Sequence, residues 1–318
     1  MDGLIGYTGF VGGALLQQHN FPLRFNTSNA SAISGQSFDT LVCAAAPGSM
    51  FIANRKPERD LEQIHALTKQ LEGIKAERMV LISSIAVLAD FSSGDDETTK
   101  NFQEKLAYGR HRRILEKFCE THFSNCLIVR LPALFGTGLR KNFIFDLLNP
   151  VPTMLAQERL EYLLAQLPAE LCSVAARLYK TGSHGMYTVD RDALNRNAMR
   201  RELEAAVNEA NMQSALFHHP ETSYQYYDIS RLWSDIQIAF QADLTHVHLA
   251  TEPLRAGDIY QRLLGAEMPA SSAPLHREDM HTRYAGLWRR SGFYLEDAGT
   301  VLGKLETFFA NASAGVQG

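Results

Sequence analysis

Three side chains in the first half of the chain are suited to proton transfer. Ser84 ends an apolar stretch, and Tyr108 and Arg112 follow on a predicted helix at a spacing that places them on one face. A tyrosine hydroxyl can exchange a proton with a carbonyl or carbinol, a serine hydroxyl can hold that oxygen, and a fixed cation lowers the phenol pKa. Each residue alone is also ordinary at a strand end or on a helix surface. Together, and preceded in the sequence by a glycine-rich loop of the kind that binds dinucleotides, they predict catalysis of hydride transfer.

That loop opens the chain. A short apolar strand runs into glycines spaced G-x-x-G-x-x-G, and an apolar helix follows. The first glycine allows a tight turn, the second lets the backbone approach a pyrophosphate, and the third lets helix and strand pack closely. Free N–H groups at the helix N-terminus then favour phosphate. The pattern favours a dinucleotide site over an ordinary strand–turn–helix, with cofactor contacts from Gly6, Thr8, Gly9, Phe10, Val11 and Gly12.

The residues after the second predicted strand bear on the choice of cofactor. An acidic side chain at that position accepts a hydrogen bond from the ribose 2′-OH of NAD. Here the position carries Asn26, followed by Thr27, Ser28 and Asn29. None of these would repel a 2′-phosphate, and several could donate to one. The sequence therefore predicts NADP, with NAD as the alternative.

Strands alternating with helices predict an α/β fold, a doubly wound parallel sheet of the Rossmann type. Buried strands are expected at 38–47, 78–84 and 126–131, and helices at 57–71 and about 102–122. Ligands bind such sheets at the carboxyl ends of the strands. The cofactor contacts expected there are the small residues after the third strand and a strand-end hydroxyl, namely Ala44, Ala45, Ala46 and Ser83.

The middle of the chain is predicted to be a smaller, largely helical substrate lobe. Helices are expected at 154–166, 168–179 and 190–211, with no strand between them and nothing catalytic in them. A strand leading into a helix follows from 224, then a strand at 245–250 and helices at 253–264 and 300–309, with a frayed end at 312–318. The expected domains are a core at 1–150, a helical insertion at 151–223 and the remainder of core and lobe at 224–318.

Composition excludes several classes of protein. The chain has 318 residues, a net charge of −4, 45% hydrophobic and 21% charged residues, which is typical of a globular protein and gives no reason to expect nucleic acid or an anionic membrane as partner. No apolar run approaches the ~20 residues of a membrane span. No leader and no metal site are expected, and four cysteines without C-x-x-C spacing indicate reduced thiols of a cytoplasmic protein.

Several motifs in order resemble the extended short-chain dehydrogenases/reductases, which include sugar-nucleotide epimerases, dehydratases and reductases. The resemblance covers about residues 1–150 and 224–310. Its motifs are the glycine loop, Val80-Leu81-Ile82-Ser83-Ser84, Tyr108-Gly109-Arg110-His111-Arg112, Val129-Arg130-Leu131-Pro132-Ala133-Leu134-Phe135-Gly136, Ala250-Thr251-Glu252-Pro253-Leu254 and Gly292-Phe293-Tyr294.

The resemblance implies a tyrosine-based proton relay with Ser84 as its partner and NAD(P) laid across the glycine loop. It also implies that Leu131, Pro132 and Leu134 flank the nicotinamide. The diphosphate of a nucleotide-linked sugar would meet Arg140, Lys141 and Asn142. A solvated basic turn is the alternative for these three residues, and a homodimer remains open.

Two departures from the family pattern limit what the resemblance implies. The family's lysine four residues after the tyrosine is Arg112 here, and arginine is longer, planar and differently hydrated. The segment 151–219 is longer than expected.

Ile85-Ala86-Val87 replaces the acidic residues typical of the dehydratases, so an NAD(P)-dependent reductase or epimerase is expected. The alternative is a catalytically silent dinucleotide-binding sensor or scaffold, which Arg112 favours and the presence of Tyr108 and Ser84 disfavours.

Overall fold

The computed structural model describes residues 1–182 and 185–315. The chain forms two compact units, each built from three segments. The first unit comprises Met1–Leu139, Ser223–Leu254 and Arg277–Lys304, and the second comprises Arg140–Thr222, Arg255–His276 and Leu305–Gly318.

Short strands and helices alternate along the chain. The strands are β1 Gly3–Ile5, β2 Leu23–Phe25, β3 Ser37–Cys43, β4 Lys75–Ser84, β5 Cys126–Leu131, β6 Ala133–Phe135, β7 Met154–Leu155, β8 Tyr179–Thr181, β9 Tyr187–Val189, β10 Ser223–Tyr224, β11 Tyr226–Asp228, β12 His246–His248 and β13 Leu254–Arg255. The helices are α1 Phe10–Gln18, α2 Met50–Arg55, α3 Pro57–Glu72, α4 Ala107–His122, α5 Phe143–Leu148, α6 Gln157–Gln166, α7 Ala169–Leu178, α8 Arg191–Asn195, α9 Arg200–Glu209, α10 Leu232–Gln241, α11 Ala256–Leu264 and α12 Ala298–Gly315.

A six-stranded parallel sheet forms the centre of the first unit. Its strand order is β12-β5-β4-β3-β1-β2. The apolar centre of β4, Met79 to Ile82, is buried, as expected of a parallel strand covered on both faces. One apolar cluster contains α1 and α10 side chains, and another contains side chains of α3 and α4. The predicted doubly wound parallel sheet is confirmed.

Helix α4 begins later than the sequence predicts. The expected start near 102 is wrong, because the side chain of Gln103 accepts hydrogen bonds from the backbone N–H groups of Lys105 and Leu106. This side-chain turn competes with the helix, which then begins at Ala107. The catalytic candidate Tyr108 therefore lies in the first turn of α4, whereas a start at 102 would place it in the second turn.

The second unit contains a small sheet that the sequence did not predict. Strands β7, β9 and β8 pair antiparallel in that order, so the expectation of uninterrupted helices is wrong. Strands of two or three residues are too short to show an alternating pattern. The predicted helix at 190–211 is also divided into α8 and α9, and Asn197 accepts from Met199 N–H in the break. Apolar side chains of α6, α7 and α9 form the core of this region.

The end of the chain is more regular than expected. Helix α12 extends from Ala298 to Gly315, so the predicted fraying of 312–315 is wrong, and 316–318 lie outside the described residues. Among the residues described, no helix has the length and apolar character needed to cross a membrane.

Candidate active site

The glycine loop has the close contacts that its spacing predicts. Gly6 has a φ of +87°, and a Cβ at this position would lie 2.5 Å from the carbonyl oxygen of Ala44. A Cβ on Gly12 would lie 2.2 Å from the carbonyl oxygen of Gly6. Helix α1 starts immediately after Gly9, and this N-cap residue has no side chain with which to cap the first turn. The loop therefore leaves backbone N–H groups available to an anion, and the residues present fit a dinucleotide pyrophosphate.

The side-chain amides of Asn26 and Asn29 hold the turn after β2 by hydrogen bonds. Asn26 Oδ1 accepts from the backbone N–H and the hydroxyl of Ser28, and its Nδ2 donates to the Tyr7 hydroxyl over 3.2 Å. Asn29 Oδ1 accepts from Asn26 N–H, and its Nδ2 donates to the carbonyl of Arg24. No carboxylate is present from 26 to 29. The sequence did not reveal that both amide side chains are engaged in these bonds, whereas Thr27 and Ser28 are exposed.

The other predicted cofactor contacts lie at the carboxyl edge of the sheet. Residues Ala44, Ala45 and Ala46 follow β3 directly and are half-buried. Leu131 is the buried last residue of β5, Pro132 follows it and is also buried, and Leu134 is half-buried in β6. Ser83 is different, because its hydroxyl donates to Glu116 Oε1 over 2.6 Å. Ser83 is therefore engaged inside the protein through its side chain.

Tyr108 is placed beside Ser84 by a close helix contact. A Cβ on Gly109 would lie only 1.8 Å from the carbonyl oxygen of Ala86, so glycine is required for α4 to approach the turn after β4. The Tyr108 backbone N–H donates to Asn54 Oδ1 over 2.9 Å, which caps the helix from α2. The sequence analysis named Gly109 only as part of a motif, without this packing role, and it missed Asn54. A glycine within a helical pattern, as at Gly109, is a signal of close packing.

Arg112 is paired, and its partner was also missed. The residue is only 3% exposed, and its Nη1 lies 2.6 Å from Oδ2 of the buried Asp60. Nη1 also donates to the Tyr108 carbonyl, and Nη2 donates to the Pro47 carbonyl. The guanidinium lies 3.9 Å from the centre of the Tyr108 ring. The structure thus brings Ser84, Tyr108 and Arg112 together and adds Asp60.

The electrostatic effect on Tyr108 differs from the prediction. Burial is the largest influence and raises the pKa of the phenol, and the Asp60 carboxylate raises it further. Arg112 and a hydrogen bond with Ser84 lower the pKa, but the net shift is upward. Arg112 lowers the pKa of the phenol, as the sequence predicts, but burial outweighs this effect and tyrosinate is not favoured. Tyr108 is protonated at neutral pH and can donate its proton.

A second buried ion pair fixes the rest of α4. Arg130 Nε and Nη2 donate to the two carboxylate oxygens of Glu116 over 3.0 and 2.8 Å. Burial raises the pKa of Glu116, but Arg130 and Ser83 lower it more, so the group is ionised. Arg130 Nη1 donates to Nε2 of His248, whose Nδ1 donates to the carbonyl of His281. Burial lowers the pKa of His248, which fits this neutral tautomer.

The predicted diphosphate contacts lie in the second unit. Arg140 and Lys141 are exposed at its start. Asn142 has a φ of 108°, and its Oδ1 accepts from Phe145 N–H, so this side chain caps α5. The described part of the chain contains no group of three histidine, cysteine, aspartate or glutamate residues able to hold a metal ion.

Solved structures of similar fold exist, although no protein-family model and no curated protein matches the chain. The dTDP-4-dehydrorhamnose reductase from Yersinia enterocolitica is 15% identical, with 97% of this chain and 99% of that chain covered and a TM-score of 0.57. The enzyme of the same name from Bacillus anthracis, in complex with NADP, is 12% identical over 98% and 97%, with a TM-score of 0.58. The UDP-N-acetylglucosamine 4-epimerase from Methanobrevibacter ruminantium, in complex with UDP-N-acetylmuramic acid, is 10% identical over 97% and 96%, with a TM-score of 0.59. The fold implied by the resemblance to extended short-chain dehydrogenases/reductases is confirmed.

Proposed function

We propose that this protein is an NAD(P)-dependent reductase acting on a carbonyl group of a polyhydroxylated, nucleotide-linked sugar. The observation that carries the proposal is the position of Tyr108 against Ser84 and Arg112, in the unit that also holds the glycine loop. The NADP of one reductase of similar fold and the nucleotide sugar of an epimerase of similar fold support the choice of cofactor and substrate class.

The cofactor is held by backbone and small residues of the first unit. The pyrophosphate is expected at Gly9 to Gly12, and the adenosine ribose near Asn26 to Asn29. When bound, NAD(P)H supplies a hydride to the substrate carbon. Residues Ala44, Ala45, Ala46, Leu131, Pro132 and Leu134 are proposed to shape the remaining cofactor surface.

The protein's own contribution to the reaction is the control of one proton. Ser84 is proposed to hold the carbonyl oxygen, and Tyr108 to donate its hydroxyl proton to that oxygen as negative charge develops. The pKa of an ordinary tyrosine already lies well above neutral and that of Tyr108 is raised further, so its acid form is present throughout the neutral range. Carbonyl reduction uses this acid form, whereas epimerisation would begin by removing a proton from a hydroxyl group. In the second unit, Arg140, Lys141 and Asn142 remain the proposed contacts for the diphosphate.

The proposal is tested by titrating the purified protein with NADPH and NADH and following fluorescence. We expect both to bind and NADPH to bind more tightly, because the turn from 26 to 29 carries no carboxylate. Consumption of NADPH is then measured with dTDP- and UDP-linked keto sugars. Binding of neither cofactor would contradict the proposal, and binding without turnover on any of these substrates would favour the sensor or scaffold.

A further inference from the structure

A buried carboxylate that the proposed reaction does not use lies beneath the candidate site. Asp60 is 3% exposed and belongs to the face of α3 that otherwise buries Ile64, Leu67 and Leu71. Its Oδ2 accepts from Arg112 Nη1 over 2.6 Å and is 2.8 Å from Nδ1 of His111. A carboxylate is costly to bury unless it is paired, so this position on an apolar face requires its partners on α4.

The guanidinium of Arg112 is restrained from three segments of the first unit. Asp60 holds Nη1 from α3, and the Pro47 carbonyl accepts from Nη2 after β3. The Tyr108 carbonyl accepts from Nη1 on α4 itself. A planar group held in this way has a fixed plane as well as a fixed position. The face it presents to the Tyr108 ring, 3.9 Å away, is therefore set before any ligand arrives.

We propose that Asp60 is a positioning residue for Tyr108, which fixes Arg112 against the phenol ring and balances its charge. The site then uses an aspartate–arginine pair in the place of the single lysine that the resemblance implies. This inference rests on the proposed function, because Tyr108 must be the proton donor. Without Asp60, the guanidinium would be an unbalanced cation beside the phenol, and the pKa of Tyr108 would be lower.

The charged groups around the phenol give the direction of the expected change. Arg112 and the Ser84 hydroxyl lower the pKa of Tyr108, whereas Asp60 raises it. Facing Asp60 are Arg112 and His111, and the Arg110 guanidinium lies 3.4 Å from the other nitrogen of that histidine. Removing the Asp60 charge should therefore lower the pKa of Tyr108, and removing the Arg112 charge should raise it. A merely structural role of Asp60 predicts no lowering of the pKa of Tyr108 when the Asp60 charge is removed.

The experiment follows the ionisation of Tyr108 directly, so that no substrate is needed. Tyrosinate absorbance of the full chain is titrated with alkali, and the same titration of a matched Tyr108→Phe protein is subtracted. Asp60→Asn keeps an acceptor for Arg112 but removes the charge, and we expect ionisation about one pH unit lower than in the parent. Arg112→Gln should shift it upward. Glu120→Gln, which removes another paired carboxylate of α4, is the control and should shift nothing.

An unchanged or raised ionisation of Tyr108 in Asp60→Asn overturns the inference. If that variant does not fold, Asp60→Glu takes its place: it keeps the charge but displaces the carboxylate from Arg112, and an ionisation of Tyr108 identical to that of the parent overturns the inference. If the parent protein catalyses the reduction, the pKa of the alkaline limb of its kcat/KM pH profile should shift in each variant by the same amount as the pKa of Tyr108 measured by absorbance. The two proposals remain distinguishable: absence of turnover in the parent contradicts the proposed function, whereas an active parent with unshifted variants contradicts only the role of Asp60.

Discussion

At the scale of single residues, the candidate site depends on glycines as much as on reactive side chains, because some positions have no room for a Cβ. Gly12 and Gly109 both face a carbonyl oxygen at a distance that no Cβ tolerates. The motif spacing predicted the role of Gly12. It did not predict Gly109, because the partner of that glycine, Ala86, follows another strand and is distant in the sequence. The same reason explains why Asp60 and Asn54 were missed, since a long-range pairing leaves no local pattern.

Two adjacent glycines provide a matched test of the glycine loop. Gly12→Ala would place a Cβ 2.2 Å from the Gly6 carbonyl oxygen, whereas Gly13→Ala would place one 3.9 Å from the nearest atom, the Tyr7 carbonyl oxygen. We expect Gly12→Ala to abolish measurable NADPH binding, because α1 must move away from the loop. Gly13→Ala should bind normally and gain up to about 1 kcal/mol of stability from alanine in a helix. Fluorescence titration and urea unfolding provide both measurements, and equal binding by the two variants would contradict the account.

At the scale of elements, α4 is the helix that assembles the site. Its first turn carries Tyr108, its second pairs with Asp60 through Arg112, and its later turns pair with β5 and β12. The sequence predicted the helix, its last residue and both catalytic candidates. The sequence-based start of the helix is too early. The side chain of Gln103 accepts hydrogen bonds from the next backbone N–H groups and delays the helix, and such bonds leave no mark in the apolar pattern. The sequence predicted α4 and β5 as separate elements, but it did not predict the buried ion pair between Glu116 and Arg130 that joins them.

The last turns of α4 should make stability depend on pH. A hydrogen bond with His246 and the charge of Arg113 lower the pKa of Glu120 to about 2, from an ordinary value of 4.5. A lowered folded-state pKa contributes stability above pH 4.5, and that contribution disappears as the pH falls towards 2. We expect Glu120→Gln to destabilise the protein by about 1 kcal/mol at pH 7 and by much less at pH 3.

Urea unfolding of parent and variant across this range tests the expectation. Glu62→Gln, at an exposed position of α3, is the control for removing a charge. A stability difference between parent and Glu120→Gln that stays constant from pH 7 to pH 3 would show that the Glu120 charge contributes nothing.

At the scale of the whole molecule, the two units differ in how far the sequence reveals them. The three central strands of the parallel sheet in the first unit, β3, β4 and β5, are long and apolar, strong motifs surround them, and the architecture was predicted. The second unit combines short strands with short helices, and its three-stranded sheet was missed. Its apolar core draws on residues from Val151 to Met212, which shows that this region packs against itself.

Removing most of that region should spare cofactor binding. All proposed cofactor contacts belong to the first unit. Replacing roughly 154–211 with a short linker should leave the affinity for NADPH within about tenfold, or ~1.4 kcal/mol. Circular dichroism first establishes that the variant is folded, and fluorescence titration then gives the affinity. A folded variant without any affinity for the cofactor would show that the region belongs to the binding core.

The most direct test of the proposed relay is the turnover of Tyr108→Phe on a keto-sugar substrate that the parent reduces. The change removes the transferable proton and keeps the ring beneath Arg112. The account predicts that kcat falls by roughly 10²–10⁴-fold, the usual contribution of general acid catalysis, while the affinity for NADPH is nearly unchanged. A Tyr108→Phe protein that reduces the substrate as fast as the parent would contradict the assignment of Tyr108 as the proton donor.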